Sequence, residues 1–460
     1  MTITARNACP TLADPMRTGD GWLARLPPLV RPVTPDQLAG LAELSAAHGN
    51  GLVEISKRGN IQIRGLPDPA AAVPIALELD ALGFFLPTGV PIAVDPLAAI
   101  LAPEIDIAGI IDALHARLDQ TGLTARLAPK VAILLDLGTA FHVGALTADL
   151  RLQFDGGLAH IGLGGNAATA RWLGAVKAEC AVDAAVAILE RLATFGPLAR
   201  LAGSSSLRDQ PAFDAAIADL IVARGAPETR EAARSIGRTI LPPGREIEAI
   251  QAIAFPFGQA TAADLSALAE AARNIGIRAL APAPERSLLL AGPTAPLDDV
   301  TAFAGRRGFI VSADDRRRFV SACIGNAGCA SGHWPARAIA SDLAQVVPGL
   351  FDGSFSLHLS GCAKGCAHPE PALITLAGID KGAALVLQGR ARDVPSGFVP
   401  IDALSDRLIR LGETVERLKR PGETVRSALE RIGERAIIEA LGEPVGDGSA
   451  QYGGKPRLFA

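Results

Sequence analysis

The sequence predicts an α+β protein that is internally duplicated and laid out as A–B–A′–B′. Three observations predict it. A strand–helix–strand–strand pattern near the start recurs downstream at one constant offset. Each copy is followed by a longer segment with β-rich runs and helices. Only the second of these longer segments carries two close pairs of cysteines.

Bulk properties set the frame. A chain of 460 residues, 49% hydrophobic and 20% charged, can bury several cores and is not of the disordered class. A net charge of -4 argues against a nucleic-acid binder, which carries a basic excess. The start, MTITARNACPTLADP, has no apolar core of signal-peptide length, and the apolar stretch Val73–Val94 is interrupted by Glu78, Asp80, Pro87 and Pro91. The expected location is therefore the cytoplasm, where clustered cysteines bind metal more often than they form disulfides.

Residues 1–20 read as a partly ordered arm. Segment A follows, with a strand at Trp22–Leu26, a helix at Pro35–His48, and strands at Leu52–Ser56 and Ile61–Arg64. Thr34 is a good N-cap with Pro35 at the first helical position, and Gly49 and Gly51 end the helix. Thr34 and Thr261 stand 227 residues apart, and so do Leu38 and Leu265, Leu41 and Leu268, Gly49 and Gly276, and Gly65 and Gly292. Five coincidences without a gap point to duplication. In segment B, Lys130–Gly138, Leu150–Phe154 and Ala159–Gly162 read as strands and Val182–Phe195 as a helix. In B′, Ala372–Gly378 and Ala383–Gln388 read as strands, and Pro400–Glu416 and Glu423–Leu441 as helices. The tail Gly446–Gly454 reads as loose. GLGGN at Gly162–Asn166 lacks the full dinucleotide fingerprint, and no P-loop, metalloprotease or Gly-x-Ser-x-Gly motif is present.

Of six cysteines, Cys9 and Cys180 stand alone. The others form Cys323-x5-Cys329 and Cys362-x3-Cys366, each in a loop rich in Gly and Ala. Small residues let the backbone approach an inorganic cluster and aim N–H groups at its sulfurs. Four thiolates match a [4Fe–4S] or [2Fe–2S] cluster. A structural zinc site and unliganded thiols remain the alternatives, although zinc pairs normally use shorter spacing than x5. His368, beside the second pair, reads as a loop-capping residue.

EISKRGNIQIRG is the second informative segment. Arg58, Asn60, Gln62 and Arg64 share one strand face if Gly59 makes no bulge, while Ile61 and Ile63 face the core. Such a face suits an anionic ligand, the bland reading being a solvated sheet surface. The repeat has Glu285, Leu289 and Ala291 at the places of Arg58, Gln62 and Arg64, so only one copy carries this chemistry. Lys130, at an expected strand start, and Arg316, Arg317 and Arg318 are further candidates for carboxylate or phosphate contact.

These features resemble the nitrite/sulfite reductase superfamily. It is defined by a Cys-x5-Cys and Cys-x3-Cys cluster motif, matched by Cys323, Cys329, Cys362 and Cys366, and by an Arg-x3-Gln strand, matched by Arg58 and Gln62. The resemblance spans about Gly21 to Leu441. It implies two ferredoxin-like halves (21–95 and 238–310) and two sirohaem-type α/β domains (96–237 and 311–442), with an arm at 1–20 and a tail at 443–460. Segments such as SKRGNIQIRGL, RRRFVSACIGNAGCASG and LSGCAKGCAHP resemble most closely the cobalamin-pathway branch of that superfamily. That branch implies an oxygen-using monooxygenase that hydroxylates the tetrapyrrole precorrin-3A at C20 and closes a lactone. A [4Fe–4S] cluster on the four cysteines, NADH as ultimate electron donor, an electron-donor protein and no sirohaem go with it. Arg58, Gln62, Arg64 and Lys130 would bind substrate. A separate non-haem iron is compatible with the resemblance, but the seven histidines display no ligand pattern for one. Departures from the reductases support this branch. Arg64 stands where they have a histidine, Ala132 replaces the second lysine of their Lys-x-Lys, and no arginine falls near Pro91. The competing expectations are a sirohaem-dependent sulfite or nitrite reductase and a non-catalytic zinc or tetrapyrrole-binding protein.

Overall fold

The computed structural model describes residues 9–230, 236–243 and 247–444. The chain divides into two compact units between Ala313 and Asp314. The Gly-rich tail at Gly446–Gly454 lies outside the described residues. No helix among the described residues is long and apolar enough to cross a membrane.

In the first unit the duplication is visible strand by strand. Met16–Thr18, Gly21–Arg25, Ile61–Leu66 and Leu52–Ile55 lie side by side in that order. Gly237–Ile240, Ala249–Ala254, Ser287–Gly292 and Ala279–Ala283 repeat the order in a second sheet. Within residues 1–20, read as a partly ordered arm, Met16–Thr18 pairs with Gly21–Arg25 through a tight turn. Helices Pro35–His48 and Ala262–Asn274 pack on each other and on one shared core with Leu38, Leu41, Leu265 and Leu268. Each helix starts where its threonine can cap it. Thr34 Oγ1 accepts from Gln37 N and the Gln37 side chain accepts from Thr34 N, a complete capping box. Thr261 Oγ1 accepts from Asp264 N.

The copies exchange strand edges. Ala260, in the short strand Gln259–Thr261, pairs with Val53, and Val33 bridges to Leu280. Residues 33 and 260, and 53 and 280, are themselves 227 apart, so each contact is the image of the other. This is the self-complementary geometry of a two-fold interface, built within one chain.

B and B′ also share one topology. In the first unit, Ile92–Val94, Ile133–Asp136 and Leu150–Asp155 run parallel, followed by antiparallel Leu158–Leu163, Arg171–Lys177 and Ile221–Ala223. In the second unit, Val320–Ala322, Leu357–Ser360 and Ala372–Ile379 run parallel, followed by antiparallel Gly382–Gly389, Gly397–Pro400 and Glu443–Pro444. The first parallel pair needs a crossover, supplied by helix Ile107–Gln120 in one unit and Ala336–Val346 in the other. The inner parallel strands are buried along their whole length, as strands covered on both faces must be. Strand Ile92–Val94, within segment 21–95, hydrogen-bonds into the six-stranded sheet.

Other differences from expectation have local causes. Lys130 does not open a strand. It sits in a turn, and pairing begins at Ile133, because the Asp149 carboxylate and the Asp149 N–H occupy the backbone of Ala132. Pro400 ends a strand, and its helix begins at Leu404, because the Gly397–Pro400 backbone is paired with Gly382–Leu385. Removing either helix cap by Thr34→Ala or Thr261→Ala is expected to cost about 1 kcal/mol, read as a lower denaturation midpoint.

Candidate functional site

Two adjacent parallel strands place the cysteine loops. Val320–Ala322 and Leu357–Ser360 pair with Ala322 beside Leu359, so both chains leave the sheet at the same edge. Cys323 follows the first strand directly, and Cys362 follows the second after Gly361. The Gly361 N–H donates to Cys323 Sγ at 3.0 Å. Cys362 lies within electrostatic reach of Cys323 and Cys329. Burial, reinforced by those two sulfurs, raises its pKa above the usual thiol value against the opposing pull of the Lys364 N–H. Cys323, Cys329 and Cys362 are half-buried, and Cys366 is exposed in the turn after Gly365. The ring of His368 lies 5.4 Å from that of buried His358, and its N–H donates to the Gly365 carbonyl.

The glycines of these loops are required by close approach. A Cβ on Gly361 would stand 2.8 Å from Gly325 Cα and 3.3 Å from Cys323 Sγ. One on Gly332 would stand 2.4 Å from Asn326 N, and one on Gly325 would run into the Trp334 carbonyl. The two loops therefore press on each other backbone to backbone, leaving half-buried thiols and an N–H aimed at sulfur. That donor set fits an iron–sulfur cluster. Among the described residues, no group of three or more His, Cys, Asp or Glu side chains is gathered as for a single metal ion. Arg317 is ion-paired to Asp315 at 2.6 Å, so one of the three arginines ahead of Cys323 is already engaged.

In the first unit, Gly59 has φ +84° and belongs to the turn between Leu52–Ile55 and Ile61–Leu66. Arg58 is thus a turn residue, not part of a strand face. Ser56 Oγ accepts from the N–H groups of Arg58 and Asn60 and fixes that turn. Arg58 Nη1 donates to the Thr147 carbonyl at 2.8 Å, and its guanidinium lies within electrostatic reach of Arg25, Arg200 and Asp149. Gln62 does sit on the polar face of its strand, in register with Arg25. With its amide oriented to satisfy both groups, its oxygen accepts from Arg25 Nη2 at 2.9 Å and Nε at 3.2 Å. Arg64 is on the same face, held by Asp20 at 2.7 Å and Glu54 at 3.0 Å. Lys130 is exposed in its turn.

Arg25, Arg200 and Asp149 were not singled out from the sequence. Asp149 is fully buried and binds Arg200 Nε at 2.8 Å. A signal for Arg25 exists, since it lies on the strand that must pair with Ile61–Leu66, opposite Gln62. Nothing local marks Arg200 or Asp149. In the second copy the same sheet face is apolar, with Leu289 and Ala291 packed among Ile250, Ala252, Ala281 and Phe141.

Burial acts to raise the pKa of Asp20, but the hydrogen bonds and charge of Arg64 outweigh it and hold the carboxyl below its usual range. A depressed folded-state pKa stabilises the fold above the unfolded value of 3.8 and ceases to do so as pH falls through the folded value. Asp20→Asn is expected to cost about 3 kcal/mol at neutral pH, the low end for breaking a buried pair because Glu54 remains, and to flatten the loss of stability in acid. Denaturation melts between neutral and acid pH read both effects.

Comparison with known proteins places these features. Residues 14–79 match the nitrite/sulfite reductase ferredoxin-like half-domain family. Over 443 residues the chain is 34% identical to a precorrin-3B synthase of Sinorhizobium sp, covering 95% of this chain and 94% of that protein. The NirA protein of Mycobacterium tuberculosis has the same fold, with a TM-score of 0.68 at 19% identity, over 90% of this chain and 84% of that one.

Proposed function

Because the chain belongs to the precorrin-3B synthase family, we propose that it hydroxylates precorrin-3A at C20 with closure of a lactone, in aerobic cobalamin biosynthesis. The full-length identity to a relative of that name is the observation that carries the reading. Dioxygen is the co-substrate, NADH the ultimate source of electrons and a separate protein the immediate donor, in the cytoplasm.

Cys323, Cys329, Cys362 and Cys366 hold a [4Fe–4S] cluster, which supplies one-electron transfer when bound. The Gly361 N–H aimed at Cys323 Sγ stabilises the thiolate and would tune the potential. In the first unit, Arg58 and Lys130 meet carboxylates of the substrate. Arg58 is suited to this because its guanidinium hydrogen bond to the Thr147 carbonyl orients it without neutralising it. Gln62 and Arg64 act as positioning residues. Gln62 holds Arg25 beside Arg58, and Arg64, locked between Asp20 and Glu54, stiffens the strand that carries both.

The test is anaerobic purification with metal analysis and absorption spectroscopy, then turnover of precorrin-3A under oxygen. About four irons per chain without haem bands, and formation of a hydroxylated lactone, are the expected results. Sharp haem bands with sulfite or nitrite turnover would make the protein a reductase, and zinc without iron would remove the redox reading. Cys323→Ser is expected to lose most of the iron. Arg58→Ala is expected to raise KM for the tetrapyrrole at least about tenfold, the loss of one charged hydrogen bond, with the iron content unchanged.

A further inference from the structure

The shared topology of B and B′ lets the thiol site be traced into the half that has no paired cysteines. Cys323 directly follows Val320–Ala322, and Asp95 directly follows the matching strand Ile92–Val94. Cys362 is the second residue after Leu357–Ser360, and Gly138 the second after Ile133–Asp136. His142 stands four residues beyond Gly138, as Cys366 stands four beyond Cys362. Leu101 stands six beyond Asp95, as Cys329 stands six beyond Cys323.

Backbone details confirm the match. Leu97 has φ 59° and its counterpart Gly325 has φ 64°. Leu101 N donates to Leu97 O at 2.9 Å, and Cys329 N donates to Gly325 O at 2.9 Å. Leu137 N donates to Asp95 Oδ2 at 3.1 Å, where Gly361 N donates to Cys323 Sγ at 3.0 Å. The cradle is conserved between the halves of this one chain, but the four cysteines have become a carboxylate, a leucine, a glycine and an imidazole. Over Gly138 lies the Arg230 guanidinium, in space that a side chain there would need. It is ion-paired to Asp155 at 3.1 Å.

The residues gathered there are buried and ionisable. Asp95 is 1% exposed, and its carboxylate accepts from the N–H groups of Leu137, Thr139 and Val143. Asp136 is 2% exposed, with Oδ2 at 3.5 Å from Arg151 Nη1 and 3.7 Å from His142 Nδ1. Arg151 is fully buried, and its Nε and Nη1, like His142 Nε2, have no hydrogen-bond acceptor among the described residues. Two buried carboxylates against one guanidinium leave a negative charge uncompensated, and a dry interior opposes that imbalance. One proton on this group restores neutrality.

We propose that Asp95, Asp136, His142 and Arg151 form a proton-holding site, in which one shared proton is exchanged with solvent through the cavity lined by Asp136, His142, Gln153, Glu228 and Arg230. Burial, then the Asp136 carboxylate, push the pKa of Asp95 up to about 7 against the Thr139 and Val143 N–H groups and the Thr139 hydroxyl. Asp136 also raises that of His142, with Arg230 opposing. The remaining charges facing the group are Glu228 at the cavity, Asp155 on Arg230, and Arg58, whose charge acts on Arg151. A divalent cation fits less well, because Arg151 already faces Asp136 and the oxygens of Asp95 are taken by backbone N–H groups. Reduction of dioxygen to water consumes protons, and this site holds one. Its existence does not depend on the reaction proposed above.

Infrared spectroscopy of the full-length protein as purified, titrated through neutral pH without substrate, tests this directly. The expected result is one buried, protonated carboxyl band that disappears with a midpoint near neutrality. It should be absent in Asp95→Asn. In His142→Gln it should persist to higher pH, because the competing base is gone. The wild-type titration needs no variant to fold. Absence of a protonated carboxyl band through the neutral range overturns the proposal, as does a band unchanged in both Asp95→Asn and Asp136→Asn. Loss of a bound metal from Asp136→Asn, with the iron of the cysteine loops retained, would overturn it in favour of a metal site. Failure of precorrin turnover in the wild type leaves the titration unaffected, so the two readings fail separately.

Discussion

Two neighbouring parallel strands must release their chains side by side at one edge of the sheet, and the chemistry of this protein depends on that constraint. The backbone of each strand is used up in pairing until its last residue, so the next side chains and N–H groups converge above the sheet edge. In the second unit the converging groups are Cys323 and Cys362, with the Gly361 N–H between them. In the first unit they are Asp95 and the Leu137 N–H, beside Asp136 at the last position of its strand. The strands do not select a chemistry; they bring two loops to hydrogen-bonding distance and leave the choice of donor atom to the sequence.

Duplication then allowed the halves to diverge without a change of scaffold. The pattern extends to the ferredoxin-like segments. One sheet keeps a polar outer face with Arg25, Gln62, Glu54 and Arg64, and its copy buries Leu289 and Ala291 against Leu97 and Phe141. Leu97 and Phe141 come from the two loops that carry Asp95 and His142. Packing of the copied sheet onto those loops removes them from water, and this burial drives the ionisation balance of the carboxylates. An apolar face in one place thus creates the unusual acid in another.

Arg64 shows how a charged residue on a polar strand face can be held by ion pairs. Asp20 and Glu54 surround it, and Gln259 from the second copy donates to the same Glu54 at 2.8 Å. Through Glu54 the ion pairs connect, by the Gln259 hydrogen bond, to the strand the first sheet receives from its copy. Arg58, three residues before the strand, has no such partner set among the described residues and keeps its charge near Arg25 and Arg200.

The duplication, the two capped helices and the four clustered cysteines are legible in the letters alone, because each is written in local or periodic terms: a threonine ahead of a helix, glycines at fixed spacing, thiols a few residues apart. Also legible is which copy carries the polar strand, since Leu289 and Ala291 replace Gln62 and Arg64 in the letters themselves. That Arg58 lies in a turn, that Lys130 precedes its strand, and that Asp20 and Glu54 claim Arg64 emerges from the folded chain. Those outcomes depend on strand register and on partners 10 or 44 residues away. Asp95, Asp136, His142 and Arg151 were illegible for the same reason. They are separated along the chain by helix Ile107–Gln120 and a loop, share no motif, and become one group only when parallel pairing places two strand ends together and a neighbouring sheet covers them.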